Sequence, residues 1–251
     1  AIEALRLVTP GDKQTIQEMQ QWLLQSKHTQ QWDTPLNAVE AVYAFMDARQ
    51  LQLLKQETGN AQLMLDGKPL EMTMGTSKTA VATAEKTGKT FGNLTVDKTS
   101  NDMSWWAVFA EFTQPLRDIT AQSTGLRVKR EVLTADGAAV NAGQLKVGDR
   151  VKVRITLEAS HDFDFVEVSD ERAACLEPVN PLSGYDWGYY YMPGDKQTRY
   201  FFDQLSKGKH VIETEYFIDR KGEYNSGICT AKCSYSPEFS GRDRAIKLTN
   251  E

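Results

Sequence analysis

Apolar positions change their spacing along this chain, and each change predicts a different kind of element. In the first fifty residues they recur at helical offsets. Ile16, Met19 and Leu23 form one stripe, and Leu36, Val39, Tyr43 and Met46 form a second, because side chains three and four residues apart share a helix face. Each stripe follows a threonine and a proline, Thr9-Pro10 and Thr34-Pro35, which suit an N-cap and the first helical position. The connector from Ser26 to Trp32 is polar apart from its tryptophan, which predicts two helices packed antiparallel. Two helices alone cannot cover both stripes.

From about Ala61 the spacing falls to two. Leu63 and Leu65 precede Asp66-Gly67, and Leu70 and Met72 follow it, the pattern of a hairpin with a tight turn. After a polar passage from Thr76 to Thr90, the run from Ser104 to Phe112 is apolar on both faces and rich in aromatic residues. It predicts a strand covered on both sides. Beyond Pro115, short alternating segments are separated by Asp136-Gly137, Val147-Gly148-Asp149, Lys207-Gly208 and Lys221-Gly222, the punctuation of an antiparallel β-sandwich. The clearest strand places Val151, Val153, Ile155 and Leu157 on one face and Lys152, Arg154, Thr156 and Glu158 on the other, one side dry and one wet. Segments 126–133, 163–168, 212–218, 228–235 and 245–248 read as further strands, and 200–202 as another. The expected fold class is mainly β with an N-terminal helical segment, and with a macroglobulin-like or immunoglobulin-like sandwich at the C-terminal end.

Composition narrows the function. The 251 residues are 40% hydrophobic and 25% charged, with a net charge of −5, as in soluble globular chains. Basic residues alternate with acids and leave no electrostatic footprint for nucleic acid. No apolar run approaches the ~20 residues that span a bilayer, and the opening residues lack the charged and apolar regions of a signal peptide. Localisation has to be decided by sequence outside this chain. His-Glu-x-x-His, Gly-x-Ser-x-Gly and a phosphate loop are all missing, so no constellation for catalysis, metal or cofactor emerges.

Three stretches resemble the C-terminal end of bacterial alpha-2-macroglobulins. Gln21 to Thr34, followed by Ala41-Val42-Tyr43-Ala44, is similar to the closing helices of that family's α/α-toroid thioester domain. Ser104-Trp105-Trp106-Ala107-Val108-Phe109 is similar to a strand of the flanking CUB-like β-domain. Val147 to Val151, Glu177 to Asn180, Arg199 to Leu205 and Tyr235-Ser236-Pro237-Glu238-Phe239 resemble the terminal receptor-binding-type macroglobulin domain. The resemblance implies a helical toroid remnant over 1–55, a partial CUB-like domain over 56–118 and a macroglobulin-type sandwich over 119–251. It also implies a non-enzymatic, extracytoplasmic protein, periplasmic or associated with the outer membrane, that traps proteases through a bait region and a thioester. Its partners would be the upstream domains of the same protein and the target proteases. None of the three cysteines begins a Cys-x-x-Gln spacing, so a thioester would have to lie upstream. Cut from such a parent, the first ~115 residues would leave apolar faces and sheet edges uncovered and prone to self-association.

The resemblance singles out Tyr235 as a residue that leans over the thioester and excludes water; a place in the sandwich core is the alternative. Cys229 and Cys233 lie ~13 Å apart along one strand, beyond the ~7 Å reach of a disulfide. The resemblance favours a Cys175–Cys233 bridge, with three buried free thiols as the alternative. Tyr185, Trp187, Tyr189, Tyr190 and Tyr191 form an aromatic loop that could pack on its own sandwich, meet a neighbouring domain or stack on sugars. Through it the chain could instead be an extracytoplasmic recognition module for carbohydrate or a protein ligand. The acids around His161-Asp162-Phe163-Asp164 lack the ligand spacing of a calcium loop.

Overall fold

The computed structural model describes residues 1–27, 32–45, 61–74, 82–88, 92–99, 106–111, 113–140 and 145–251. They form two compact units, Ala1–Leu24 with Trp32–Ala110, and Gln25–Gln31 with Glu111–Glu251.

The helices are α1 (Ile2–Val8), α2 (Lys13–Lys27) and α3 (Pro35–Phe45). The Thr34 cap is present: its hydroxyl accepts the Asn37 N–H at 3.2 Å. Thr9 does not cap α2. Its own N–H donates to the Leu5 carbonyl at 2.8 Å and closes α1, while Asp12 takes the capping role by accepting the Thr15 N–H at 3.2 Å. The expected apolar face of α3 is also corrected. Leu36, Val39 and Tyr43 are exposed, whereas Ala41 is buried and Ala38 and Phe45 are half-buried. The alanine face permits close approach: Arg6 and Gln20 both donate to the Ala44 carbonyl, at 3.0 and 2.8 Å. Met46 lies outside the described residues.

In the same unit, strands β1 (Ala61–Leu65), β2 (Lys68–Pro69), β3 (Thr73–Met74), β4 (Ala82–Thr83) and β5 (Leu94–Lys98) make two small antiparallel sheets, β2-β1-β5 and β3-β4. Asp66 and Gly67 turn the hairpin at φ 52° and 75°, the left-handed conformations this tight turn needs. Pro69 stands opposite Met64 at a position where no ladder donor is needed, since the next bond is made by the Leu70 N–H to the Leu63 carbonyl at 2.8 Å, and β5 is the longer partner of β1. The segment expected as a two-sided strand differs. Its described residues 106–111 are not in a strand, and Trp106, Val108 and Phe109 are exposed. Among the described residues no strand pairs with them, and an unpaired run cannot satisfy a buried backbone. Ser104, Trp105 and Phe112 lie outside the described residues.

The second unit contains a short 3-10 turn at Leu116–Asp118 and thirteen strands. These are β6 (Gln122–Thr124), β7 (Leu126–Thr134), β8 (Arg150–Ala159), β9 (Phe163–Glu171), β10 (Leu176–Pro178), β11 (Gly184–Asp186), β12 (Tyr189–Pro193), β13 (Gln197–Leu205), β14 (Gly208–Ile218), β15 (Gly222–Asn225), β16 (Cys229–Cys233), β17 (Ser240–Asp243) and β18 (Lys247–Asn250). Eleven of them form one ladder in the order β10-β14-β8-β7-β6-β17-β16-β9-β13-β12-β11. It folds over at the short β6, so β7, β8 and β14 face β9, β13 and β16 across a shared core. Val151, Val153, Ile155 and Leu157 of β8 are all buried there, each contributing roughly 1.5–3 kcal/mol of apolar burial. On the wet face of the same strand Arg154 pairs with Glu213 at 2.6 Å. Tyrosine hydroxyls stitch the layers: Tyr216 bonds Thr198 at 2.8 Å and Tyr200 bonds Thr214 at 2.6 Å. Among the described residues no helix is long and apolar enough to cross a membrane.

Candidate functional site

One end of the sandwich carries the loop from Ser234 to Phe239, between β16 and β17. It is fixed at both sides: the Ser234 N–H donates to the Phe165 carbonyl at 2.8 Å, the Cys233 N–H to the Phe239 carbonyl at 3.0 Å, and the Phe239 N–H to the Ser236 carbonyl at 2.9 Å. Phe239 is the hydrophobic anchor. Its ring lies 5.5 Å from Phe163 and 5.1 Å from His161, both edge-on. Gly125 makes room for that ring, because a Cβ there would come within 2.6 Å of Phe239 Cδ1 and its φ is +74°. Tyr235 is therefore no core residue: its neighbours hold the loop while the tyrosine itself is 76% exposed. β16 buries Cys229, Ala231 and Cys233 on one face, but the strand ends at Cys233 and the chain turns, so the alternation never reaches position 235. The Tyr235 ring meets Phe165 edge-on at 5.1 Å.

The aromatic loop is the β11–β12 hairpin, and it divides by alternation. Tyr189 and Tyr191 turn inward, with Tyr189 5.6 Å from Tyr200 and Tyr191 5.8 Å from the same ring. Burial and Asp186 together push the Tyr189 hydroxyl up to about 12. Tyr185 and Tyr190 meet edge-on at 5.0 Å on the other face. At the turn Trp187 is 96% exposed, its N–H held by Asp186 at 2.8 Å. Tyr185 and Trp187 are thus exposed, Tyr190 is half-buried on the face it shares with Tyr185, and Tyr189 is chiefly a packing residue.

The Cys175–Cys233 bridge is not formed; all three cysteines are free and buried. Cys175 lies past the end of β14, where its carbonyl accepts the Asp219 N–H. Cys233 stands opposite Val166, and its thiol donates to the Asp164 carbonyl at 3.3 Å. Along β16 it is Cys229 that pairs with Asp170, and Cys233 is four residues farther on. Burial pushes the thiols of Cys175 and Cys229 up, away from the reactive thiolate. The acids of the 161–171 segment serve the fold: Asp162 accepts the Lys207 N–H at 2.7 Å, and Asp170 is paired with arginine.

That arginine is Arg130 of β7, a charged side chain inside the sandwich. Its side chain is 2% exposed and that of Asp170 is 1% exposed, with 2.6 Å between them. The guanidinium also donates to the Glu171, Gly227 and Arg244 carbonyls at 3.1, 2.7 and 3.0 Å, and to the Ser226 hydroxyl at 2.7 Å. Burial pushes the Asp170 carboxyl up, and the guanidinium beside it only partly pulls it back. The signal was there in the sequence, since Arg130 follows Leu126 and Val128 at the inward phase of a strand, and Asp170 follows Val166 and Val168.

These features define an antiparallel macroglobulin-type sandwich that displays aromatic side chains from rigid turns. Residues 125–238 match the model of the bacterial alpha-2-macroglobulin MG10 domain. The match takes in the sandwich from Gly125 to Glu238, which is similar to that family's domain. Curated proteins yield no match. Among solved structures, Escherichia coli alpha-2-macroglobulin activated by porcine elastase shares 16% identity at a TM-score of 0.55, covering 100% of this chain and 23% of that one. The trypsin-activated Escherichia coli protein shares 14% identity at a TM-score of 0.52, covering 90% of this chain and 16% of that one. At such identities the likeness is one of fold. The chain spans less than a quarter of the length of those two proteins.

Proposed function

We propose that this chain is the C-terminal part of a bacterial alpha-2-macroglobulin-like protease-trapping protein, an endopeptidase inhibitor without turnover of its own. In this reading residues 1–55 complete an α/α-toroid thioester domain, 56–118 belong to a CUB-like domain, and 119–251 dock on the thioester domain and shield it. The parent is extracytoplasmic, and target proteases meet it through upstream segments. The observation that carries the reading is Tyr235, an aromatic side chain held out from a rigid turn at the end of the sandwich. Seated over an acyl bond, such a ring would keep water from it. The exposed Leu36, Val39 and Tyr43 of α3 supply apolar surface for the missing part of the toroid. In a full-length parent carrying a thioester, Tyr235→Ala raises spontaneous methylamine labelling; labelling unchanged from wild type removes the shielding role.

A second reading is a recognition module that binds carbohydrate or a protein ligand through the β11–β12 hairpin. It is favoured by the exposure of Trp187 and Tyr185. Titration with oligosaccharides, followed by Trp187 fluorescence, separates the two.

A further inference from the structure

The end of the sandwich holds a second aromatic residue in a conformation its side chain does not favour. Phe165 sits in β9 at φ +59°, a left-handed value that is an outlier for a bulky residue. The backbone has a reason for it. Phe163 and Val166 are both buried, three residues apart, whereas strict alternation would send one of them outward. In the ladder with β13, Val166 pairs with Phe202 and Asp164 with Gln204, leaving Phe165 and Asp203 unpaired. One residue on each strand lies in this gap and the register is the same on both sides, so the left-handed Phe165 turns the side-chain phase of β9 without an extra residue. Glycine or asparagine would perform that service at lower conformational cost, so the change of phase explains the backbone and leaves the phenyl ring unexplained. The ring is half-buried and meets Tyr235 edge-on at 5.1 Å. Its carbonyl accepts the N–H of Ser234, the residue immediately before Tyr235.

We infer that Phe165 is the positioning residue of Tyr235, its carbonyl fixing where the loop leaves the sheet and its ring fixing where the tyrosine points. The strained conformation is tolerated because sheet bonds on both sides determine it. The same geometry predicts that stability and aim are separable. Removing the ring while keeping a residue at ease in the left-handed region should leave the sandwich intact and free Tyr235. The link to labelling below rests on the shielding role proposed above; the positioning itself does not.

The test uses the full chain grown with 3-fluorotyrosine, the Tyr235 resonance being assigned with Tyr235→Phe. Phe165→Asn and Phe165→Gly are expected to shift that resonance to the position of free tyrosine and narrow it. Both should keep the wild-type melting temperature and the hydrogen-exchange protection of Ser234, and Phe165→Tyr should restore the wild-type resonance. A Tyr235 signal unmoved in Phe165→Asn and Phe165→Gly overturns the inference. In a thioester-bearing parent, Phe165→Asn should raise methylamine labelling several-fold, as Tyr235→Ala does. Labelling raised by Tyr235→Ala alone would overturn the functional weight of Phe165 and leave shielding standing. Labelling raised by neither variant would count against shielding, with the fluorine signal still deciding whether Phe165 aims Tyr235.

Discussion

Arg130→Met tests the interior of the sandwich most directly. Methionine roughly keeps the length and apolar stem of arginine but removes five hydrogen bonds: those to Asp170, to Ser226 and to the Glu171, Gly227 and Arg244 carbonyls. What remains is a buried carboxylate without its cation, and breaking such a pair costs about 3–5 kcal/mol. Against a typical domain stability of about 5–15 kcal/mol that is a large fraction. With a urea slope of about 2 kcal/mol/M it lowers the midpoint by about 2 M. Near-ultraviolet circular dichroism is the suitable probe, because Tyr200 and Tyr216 are fully buried in this unit, whereas Trp187 is exposed and senses little of the core.

The pH dependence of the deficit gives a second check. In Arg130→Met burial acts on Asp170 without the opposing guanidinium, so its folded-state pKa lies still farther above the ordinary carboxyl value. As pH rises between the unfolded and folded pKa values, the unfolded chain releases its proton first, and folding loses up to about 1.4 kcal/mol per pH unit. The deficit should accordingly shrink as the pH is lowered from neutrality toward the ordinary carboxyl range. Adding Asp170→Asn to Arg130→Met should recover part of the loss by removing the stranded charge. A cost below about 1 kcal/mol, or one indifferent to pH and to the second substitution, would refute the view that this pair is a desolvated charge held by arginine.

Two further outcomes follow from the packing. Gly125→Ala puts a Cβ against Phe239 at a φ of +74°, and should cost about 1–3 kcal/mol, read as a lower melting temperature with loss of ordered Phe239 signals. Burial holds the hydroxyls of Tyr189, Tyr200 and Tyr216 above their ordinary value. The unfolded chain then ionises first as pH rises past about 10, so stability present below that pH is lost through the alkaline range. Urea curves at about pH 9 and about pH 11 should show the loss, and Tyr216→Phe should reduce it.

The sandwich was legible because its signal is redundant. Val151 to Leu157 alternate without a break, and glycine-bearing turns such as Asp136-Gly137, Lys207-Gly208 and Lys221-Gly222 mark the ends of strands. The short strands β10, β11, β15 and β17 were not legible, since three or four residues carry too little alternation and their positions are set by the longer ladders beside them. In the helices the reading failed by chemistry of size. Leu36, Val39 and Tyr43 form the more hydrophobic stripe, yet close approach to the Ala44 carbonyl selects the alanine face of α3. Period alone records apolar character and cannot say which of two apolar faces finds a neighbour.

For the functional end the limit is of another kind. The aromatic hairpin could be seen as a cluster, and alternation even predicts which rings face inward. Tyr235 could not be placed, because continuing the phase of Cys229, Ala231 and Cys233 puts it in the core. What takes Tyr235 out of phase is the end of β16 at Cys233, after which the Ser234 N–H donates to the carbonyl of Phe165 in another strand and the chain turns away. A phase reset by a left-handed phenylalanine leaves no mark in residue type, since glycine or asparagine is what a reader would look for. The spacing of Phe163 and Val166 was the available clue: two large apolar residues three apart in a strand can share one face only if something between them breaks alternation. Where sequence alternation slips without a glycine to explain it, the residue at the slip should be examined for what its side chain holds.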